Sequence, residues 1–305
     1  MHIPINLRKD IALTLTPALP VIFILLWSSA FISAKYGLPD AGPFSFLLTR
    51  FVIVFLLFGA IAVAMRRPWP RGPMLVNLMF VGVLMHGFYL GGVFFSIAQG
   101  MPAGLSALIV STQPVLTAAL GVWLLDERPA PAQWLGIVLG AAGVVLVLWP
   151  RLGGDIPLIG FVSCIVSLLA ITFGTIWQKR HGGGMDLLSG NAMQALAAAM
   201  FYGTIVLVFE PYRVEWTMEF SLALGWLIFA VSLGAVSILM VLIKRGSAAA
   251  TTSLFFLVPP ASAIMAWVVF GEALGPMGLA GLGITTAGVW LVNRRAGDKT
   301  VKALK

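Results

Sequence analysis

Long apolar runs alternate along this chain with short segments rich in glycine, proline and charged residues. Each run holds roughly 17 to 25 residues, the length of helix that crosses a bilayer core of ~30 Å. The runs are continuous, whereas the strands of a membrane β-barrel alternate apolar and polar positions. The pattern therefore predicts ten membrane-spanning helices. They are predicted at Ala12–Tyr36, Phe44–Met65, Pro73–Ile97, Pro102–Leu125, Gln133–Trp149, Pro157–Gln178, Leu187–Phe209, Phe220–Ile243, Ala248–Phe270 and Pro276–Asn293.

The composition supports lipid as the solvent of most of the surface. Of the 305 residues, 60% are hydrophobic and only 10% are charged, and the mean hydropathy is +1.00. Soluble domains carry about 25% charged residues, so a water-soluble enzyme, a nucleic-acid-binding module and a disordered protein are excluded. The fold class that follows is an all-α polytopic membrane protein, with membrane lipid as a partner and no nucleic acid.

The basic residues predict the orientation of the chain. Of the 19 Lys and Arg residues, 15 fall in one alternate set of loops and tails and three in the other set, while Arg50 falls within a span. Short cytoplasmic loops carry the excess of Lys and Arg. Both termini are therefore expected in the cytoplasm, with the protein in the inner (cytoplasmic) membrane. The net charge of +8 is explained by these loops.

The two halves of the sequence are similar to each other. A shift of 145 residues places Pro114 on Pro259 and Glu127 on Glu272, among eleven identities in 45 aligned positions without a gap. Apolar composition alone would produce several chance matches, but it would not be expected to align a charged residue and two prolines. The sequence thus contains an internal repeat.

The repeat predicts two units, 1–150 and 151–305, the second ending in a basic cytoplasmic tail. Each unit holds five spans, an odd number, so the second unit must be inverted in the membrane relative to the first. Inverted repeats are the architecture of secondary transporters, which place the substrate site near the membrane midplane between the two units.

Several motifs resemble one transporter family. They are Leu124–Arg128 with its acidic pair, the matching Phe270–Glu272, the glycine-rich stretch 278–288, Trp27–Phe31 in the first span and Arg50 in the second. With the matched prolines, they resemble the drug/metabolite transporter (DMT) superfamily in its EamA-type, ten-span form. The resemblance implies export or exchange of small metabolites, and within the family it is greatest for amino-acid exporters, particularly the aromatic-amino-acid group.

The acidic residues bear on ion coupling. None of the eleven Asp and Glu residues lies at the centre of a predicted span. An intramembrane carboxylate is the usual proton or sodium site of a coupled transporter, so we predict facilitated diffusion or exchange. His86, halfway along the third span, is the one candidate proton carrier at the midplane. It either lines a cavity as a hydrogen-bonding group or makes a neutral bond between helices.

Other side chains within the spans are candidates for substrate binding. Tyr89 lies three residues after this histidine and shares its helical face, and Tyr202 lies inside the seventh span. Either tyrosine binds substrate or packs with its hydroxyl satisfied. Trp27 and Trp267 are deep enough to line a cavity. Ser28 is a candidate polar contact or bonds its own helix backbone.

Arg50 is the one cation well inside a predicted span. Such residues usually face protein or water. Arg50 either holds a substrate carboxylate through a bidentate pair, ties the second span to carbonyls of a neighbouring helix, or extends outward to the interface.

Prolines at equivalent places mark a candidate hinge. Pro114 interrupts the fourth span, and Pro259 and Pro260 interrupt the ninth. A proline inside a helix frees a carbonyl and bends the helix. We predict a hinge and the central site here; the alternative is a static bend that aids packing.

Two further features are interpreted as structural. Glu127 and Glu272 end the fourth and ninth spans, where we expect a helix cap or a salt bridge. Small residues give the fifth and tenth spans smooth faces that allow close helix contact at the periphery of each half; as an alternative, they form a homodimer surface. They are Gly136, Gly140, Gly143, Gly278, Gly281, Gly283 and Gly288.

Together these features predict an alternating-access exporter or exchanger of small amphiphilic metabolites, with amino acids bearing aromatic or large neutral side chains favoured. Drugs, nucleosides, sugars and lipids are alternative cargoes on the same fold. A membrane enzyme is disfavoured, because no nucleophile–base pair or metal-ligand cluster is recognisable. We expect no cofactor and no metal site.

Overall fold

The computed structural model of the protein describes residues 18–113, 131–148, 157–182, 184–235, 254–272 and 275–303, with 116, 117, 120, 237, 238 and 242. Over these residues the chain is helical and has no strand. The helices are α1 (Leu19–Gly37), α2 (Pro43–Ala64), α3 (Pro73–Ala98), α4 (Ala103–Val110), α5 (Pro131–Leu148), α6 (Leu158–His181), α7 (Leu187–Val208), α8 (Met218–Ala235), α9 (Val258–Phe270) and α10 (Pro276–Ala303). Single-turn 3-10 segments cover Leu38–Asp40 and Leu254–Leu257.

Length and composition identify the helices that can span a membrane. Within the described ranges, six stretches are long and apolar enough to cross a bilayer, and they comprise α1 with its 3-10 extension, α2, α3, α6 up to Gln178, α7 and α8. The prediction of an all-α polytopic membrane protein is confirmed. The predicted bounds are close for the second span, Phe44–Met65 against Pro43–Ala64. They differ for the fourth and ninth spans, where the described helices are Ala103–Val110 and Val258–Phe270 and the rest of the predicted ranges lies largely outside the described residues.

Local sequence signals set the helix ends. Pro43 and Pro73 occupy first-turn positions of α2 and α3, where the missing N–H group has no intrahelical partner to lose. The carboxylate of Asp186 caps α7 by accepting the N–H groups two and three residues on, at 3.0 and 3.1 Å. Gly271, with φ of 68°, ends α9 in the left-handed conformation that favours glycine.

The contacts between helices reproduce the predicted repeat. Helices at equivalent places in the two halves pack on each other: α2 on α7, α4 on α9 and α5 on α10. The contacts of α1 with α8 and α9 are matched by those of α6 with α3 and α4. Contacts between equivalent helices agree with two inverted five-helix repeats, and the division into the units 1–150 and 151–305 stays a prediction.

Glycine faces bring α5 and α10 close together. A Cβ atom added to Gly288 would lie 2.5 Å from the Gly140 nitrogen, and one added to Gly143 would lie 2.6 Å from the Gly281 oxygen. Neither position accepts a side chain without a shift of backbone. These glycines therefore pack the two units together within one chain, and the homodimer stays a prediction.

One end of the bundle is closed by polar contacts between loops and helices. Lys35, near the end of α1, forms a salt bridge with Glu272, just after α9. The other carboxylate oxygen of Glu272 lies 3.5 Å from the backbone nitrogen of Gly104, in the first turn of α4. The structural interpretation of Glu272 as a salt-bridge residue is confirmed, whereas Glu127 lies outside the described residues. We call this the Lys35 end.

The loop between α7 and α8 adds to the closure of the Lys35 end. Glu210 accepts hydrogen bonds from the backbone nitrogen and the hydroxyl of Ser45, both at 2.8 Å, at the start of α2. At the opposite end, Arg67 and Asp186 approach to 3.8 Å across the α2–α3 and α6–α7 loops. Consecutive loops thus lie at alternate ends, as expected for spans that cross the membrane in turn.

Candidate functional site

A cavity of about 150 Å³ lies in the middle of the bundle, between α1, α2, α3, α6, α7 and α8. This volume accommodates one aromatic ring of about the size of benzene, so in this conformation it fits the side chain of an aromatic amino acid rather than the whole molecule. Most of the wall is apolar, and its aromatic members are Trp27, Phe31, Phe51, Phe58, Tyr89 and Phe94. Its polar members, apart from the tyrosine, are Arg50, His86, Asn191 and Ser232.

Arg50 is the charged group of this wall. It lies on α2, is only 5% exposed, and donates one hydrogen bond, from Nη2 to the Ser232 hydroxyl at 3.1 Å. Its Nε and Nη1 atoms are buried without a hydrogen-bond partner in the described structure. The face of the Phe51 ring lies 5.4 Å from the guanidinium carbon. The cavity therefore holds a cation with unused donors, suited to a carboxylate or another planar anion.

A π-helical turn shapes the α3 side of the cavity. Residues Val83–Phe88 form this turn, which inserts an extra residue and disturbs the backbone hydrogen-bond ladder. The hydroxyl of Tyr202, on α7, lies 2.5 Å from the His86 carbonyl oxygen and 2.7 Å from that of Gly87. Tyr202 is fully buried and is not part of the cavity wall. Its hydroxyl holds the turn that presents His86 to the cavity.

His86 itself reaches the cavity and also belongs to a polar chain between helices. Its ring lies 5.3 Å from that of Phe51, with the two planes inclined by 41°. Its side chain also interacts with Gln194 on α7, which donates to Gln178 on α6 at 3.0 Å. The structure thus places the His86 side chain in the cavity wall and near Gln194 of α7, and it does not decide between the two roles considered for it. A role in binding substrate stays a prediction.

Trp27 and Tyr89 both lie in the wall of the same cavity. Trp27 lies on α1, with its ring 5.5 Å from that of Phe23. Tyr89 follows the π-turn on α3. With Arg50 and His86, the structure brings together four of the seven side chains that the sequence singles out for substrate binding.

Ser28 and Trp267 lie elsewhere. The Ser28 hydroxyl donates to the Val258 carbonyl at 3.3 Å, and the Ser28 carbonyl accepts from Ser262 at 3.4 Å, which joins α1 to α9. Trp267 is 60% exposed on the outer face of α9. Neither side chain is part of the cavity wall. A substrate contact for either one stays a prediction without support from this geometry.

Of the two candidate hinge positions, only the one in the second half of the chain lies within the described residues. Pro259 and Pro260 occupy the first turn of α9, directly after the 3-10 turn Leu254–Leu257. A proline in a first turn costs no intrahelical hydrogen bond. Pro114 lies outside the described residues. The change from 3-10 to α-helix coincides with the prolines, and the hinge itself stays a prediction.

Two polar residues of the cavity wall, Asn191 and Ser232, are not among those predicted from the sequence. Asn191 lies on α7, and its side-chain nitrogen donates to the Leu187 carbonyl at 2.5 Å. Ser232 lies in the π-helical part of α8 and is the one hydrogen-bond partner of the Arg50 guanidinium in the described structure. A search for amides inside apolar runs would have found Asn191. No signal in the sequence separates Ser232 from the other serines of the spans.

Comparison with known proteins agrees with this architecture. A family model described as the EamA-like transporter family matches the chain twice, over residues 17–149 and 158–294. The two matches correspond to the two halves that the repeat and the helix contacts delineate.

Curated relatives cover nearly the whole chain at low identity. An uncharacterized transporter, YvbV, of Bacillus subtilis (strain 168) is 26% identical in an alignment 304 positions long that covers 97% of this chain and 97% of that protein. A probable amino-acid metabolite efflux pump of Salmonella typhimurium is 27% identical, over 90% of this chain and 93% of that protein. A probable terminal-alkyne amino-acid exporter of Streptantibioticus cattleyicolor is 28% identical, over 90% and 92%.

A solved structure supports the same fold. A chain described as "Crystal structure of protein" has a TM-score of 0.65 and 22% sequence identity, covering 92% of this chain and 97% of that chain. With the two family matches spanning most of the sequence, the protein is a membrane transporter that belongs to the EamA-like transporter family.

Proposed function

We propose that this protein exports or exchanges small amphiphilic metabolites, amino acids and their derivatives with aromatic or large apolar side chains. The observation that carries the proposal is the Arg50 guanidinium, buried in a mostly apolar cavity rich in aromatic side chains, with two nitrogens unbonded. A carboxylate is the natural ligand of such a group, and the aromatic wall suits an apolar side chain. The relatives named as an amino-acid metabolite efflux pump and an amino-acid exporter favour the same cargo.

Transport is proposed to occur by alternating access, with no covalent chemistry. Two inverted units allow two conformations of similar energy, each opening the central cavity to one side. In the conformation described here the Lys35 end is tied by Glu272. The placement of the acidic residues, none at a span centre, favours facilitated diffusion or exchange over strong ion coupling.

The test is uptake into proteoliposomes. Radiolabelled phenylalanine, leucine, alanine and lysine are compared at equal concentration, with and without imposed proton and sodium gradients. We expect phenylalanine and leucine to enter without any gradient and faster than the other two. Uptake that requires a gradient would refute the absence of coupling. No uptake of any labelled carboxylate by correctly folded protein would refute the proposed cargo.

Orientation is a second part of the proposal. The excess of Lys and Arg in alternate loops favours both termini in the cytoplasm of the inner membrane. Fusions of a periplasmically active reporter to loops 66–72 and 209–217 would distinguish the two orientations. We expect activity only from the second fusion.

A further inference from the structure

We infer that the cavity selects substrates by net charge: it binds monoanions that carry a carboxylate and an apolar body but no ammonium group. N-acylated or deaminated amino acids belong to this class. The inference rests on the proposed function, because it assumes that Arg50 holds the substrate carboxylate. It goes further in ranking such acids above the zwitterionic amino acids themselves.

The charge balance of the described residues carries this inference. Three other basic residues of the described structure form ion pairs with acidic residues near helix ends. The pairs are Lys35 with Glu272, Arg67 with Asp186, and Arg213 with Glu215. Arg50 is buried without one. No acidic side chain is found in the cavity wall within the part of the chain that the structure describes.

A zwitterion would therefore bring a second cation beside the first. The ammonium nitrogen of an α-amino acid is two bonds from its carboxylate carbon, so a carboxylate on Arg50 places the ammonium close to the guanidinium. Like charges at short range repel strongly in a medium of low dielectric constant. An ammonium also needs acceptors when it leaves water. A monoanion neutralises Arg50 and brings no second charge.

The groups in contact with Arg50 offer an ammonium little compensation, and the other polar members of the wall, His86, Tyr89 and Asn191, carry no negative charge. The Ser232 hydroxyl accepts from Arg50 and lies 3.0 Å from the Leu227 carbonyl, to which it donates. The face of Phe51 is already next to the guanidinium, so it cannot hold an ammonium without bringing two cations to one ring. The groups around Arg50 are thus suited to one anion.

The experiment compares probes that share a side chain and differ in charge. Radiolabelled phenylalanine, N-acetylphenylalanine and N-acetylphenylalanine amide are presented to proteoliposomes, with protein-free liposomes as the blank. We expect kcat/KM for N-acetylphenylalanine to exceed that for phenylalanine by about tenfold or more, and the uncharged amide to enter at the rate of the blank.

Each other outcome has a distinct meaning. Phenylalanine entering as fast as N-acetylphenylalanine overturns the charge selection and leaves the proposed function standing. If the amide enters as fast as N-acetylphenylalanine, Arg50 has no role in recognition, and both the charge selection and the role of Arg50 in the proposed function are overturned. If neither acid enters while the purified protein remains folded and monodisperse, the proposed function fails together with the inference.

A substitution beside Arg50 tests the cause. Ser232→Asp places a carboxylate where the hydroxyl now bonds the guanidinium at 3.1 Å, so Arg50 gains an internal partner. We expect N-acetylphenylalanine uptake to fall by about tenfold or more, with phenylalanine uptake little changed or raised. Ser232→Asn, of similar size and without charge, is the matched control and keeps the preference for the acid. Equal losses in the two variants, or an unchanged preference in Ser232→Asp, would overturn the inference.

Discussion

Two basic residues of this protein lie in contrasting surroundings. Lys35, at one end of the bundle, pairs with Glu272, lies 4.5 Å from the Phe270 ring centre, and has 34% of its side chain exposed. Arg50, at the centre, is almost fully buried and bonds one neutral hydroxyl. A paired, half-exposed charge is satisfied by the protein itself. A buried charge without a counter-ion costs free energy in the resting structure, and a ligand can offset that cost.

The contrast assigns different roles to the two sites. Glu272 links the end of α1 to the start of α4 and the end of α9, so the Lys35 pair fixes how these helices meet. Opening the cavity toward that end requires the contact to change. Arg50, by contrast, has one hydrogen-bond partner in the described structure, Ser232 on α8, and two nitrogens without a partner. We therefore propose that the end of the bundle governs access and the centre governs recognition.

Removing the central charge should have the largest effect. In Arg50→Met we expect kcat/KM for the carboxylate substrate to fall by about 100-fold or more, because charge-assisted hydrogen bonds contribute about 1.5–3 kcal/mol each. The melting temperature should stay unchanged or rise, since a buried unpaired charge is removed. Uptake assays and thermal unfolding in detergent measure the two quantities.

The matched control is Arg213→Met. Arg213 lies at the Lys35 end, is exposed, and pairs with Glu215 at 3.5 Å, so neither quantity should change. A large drop in the melting temperature of Arg50→Met would contradict the comparison, because it would make Arg50 a structural residue like Lys35.

Breaking the peripheral pair should have a moderate effect of another kind. In Lys35→Met and in Glu272→Gln we expect the equilibrium to shift toward opening at the Lys35 end by about fivefold, since partly exposed ion pairs contribute about 1 kcal/mol or less. The readout is labelling of an Ala30→Cys side chain in the cavity wall, in a Cys164→Ala background, by a membrane-impermeant maleimide added on the Lys35 side.

The charge swap is the control for this shift. The double variant Lys35→Glu with Glu272→Lys restores the pair, so its labelling rate should return toward that of the parent. Labelling that is the same in the single variants, the swap and the parent would show that the pair does not hold this end closed.

The sequence predicts the fold further than it predicts the site. Arg50, His86, Tyr89 and Trp27 stand out because charged, imidazole and large aromatic groups are conspicuous inside apolar runs, and all four lie in the cavity wall. Helix bounds are predictable because proline and glycine punctuate those runs. The fold and the family can be predicted from the repeat. The repeat is recognised from matching residues in the two halves, and this recognition does not require knowing which way any helix faces.

The direction in which side chains point is what the sequence does not contain. Trp267 lies on a helix that is apolar all round, so periodicity gives no sign that it faces outward. Tyr202 is buried beneath the cavity wall because the π-turn of α3 exposes carbonyls that need a donor, and the sequence gives no sign of that turn. Ser232 meets Arg50 only through tertiary packing of α8 on α2.

Removing the hydrogen bonds that hold the π-turn should lower the melting temperature slightly and raise KM moderately. In Tyr202→Phe the hydroxyl that reaches the His86 and Gly87 carbonyls is lost. Hydrogen bonds between membrane helices contribute about 1 kcal/mol, so we expect a fall of a few degrees in melting temperature. KM should rise about two- to fivefold, because the turn that presents His86 is less well held, while kcat changes little. If the melting temperature falls and KM is unchanged, Tyr202 stabilises the fold but does not contribute to substrate recognition.

The smallest effect is expected at Trp267, which the sequence selects as a candidate for substrate binding and the structure places outside the cavity. Trp267 is 60% exposed and lies apart from the cavity wall, so Trp267→Leu should change uptake by less than about twofold and leave charge selectivity intact. Trp27→Leu is the matched control inside the cavity, where the loss of an aromatic contact contributes about 0.5–1.5 kcal/mol and predicts a fall of about two- to tenfold. Because both substitutions remove an indole from a membrane helix, a difference between them isolates the contribution of the cavity wall. Equal losses would contradict the assignment of Trp267 to the outer surface and would mean that it reaches substrate in another conformation of the transport cycle.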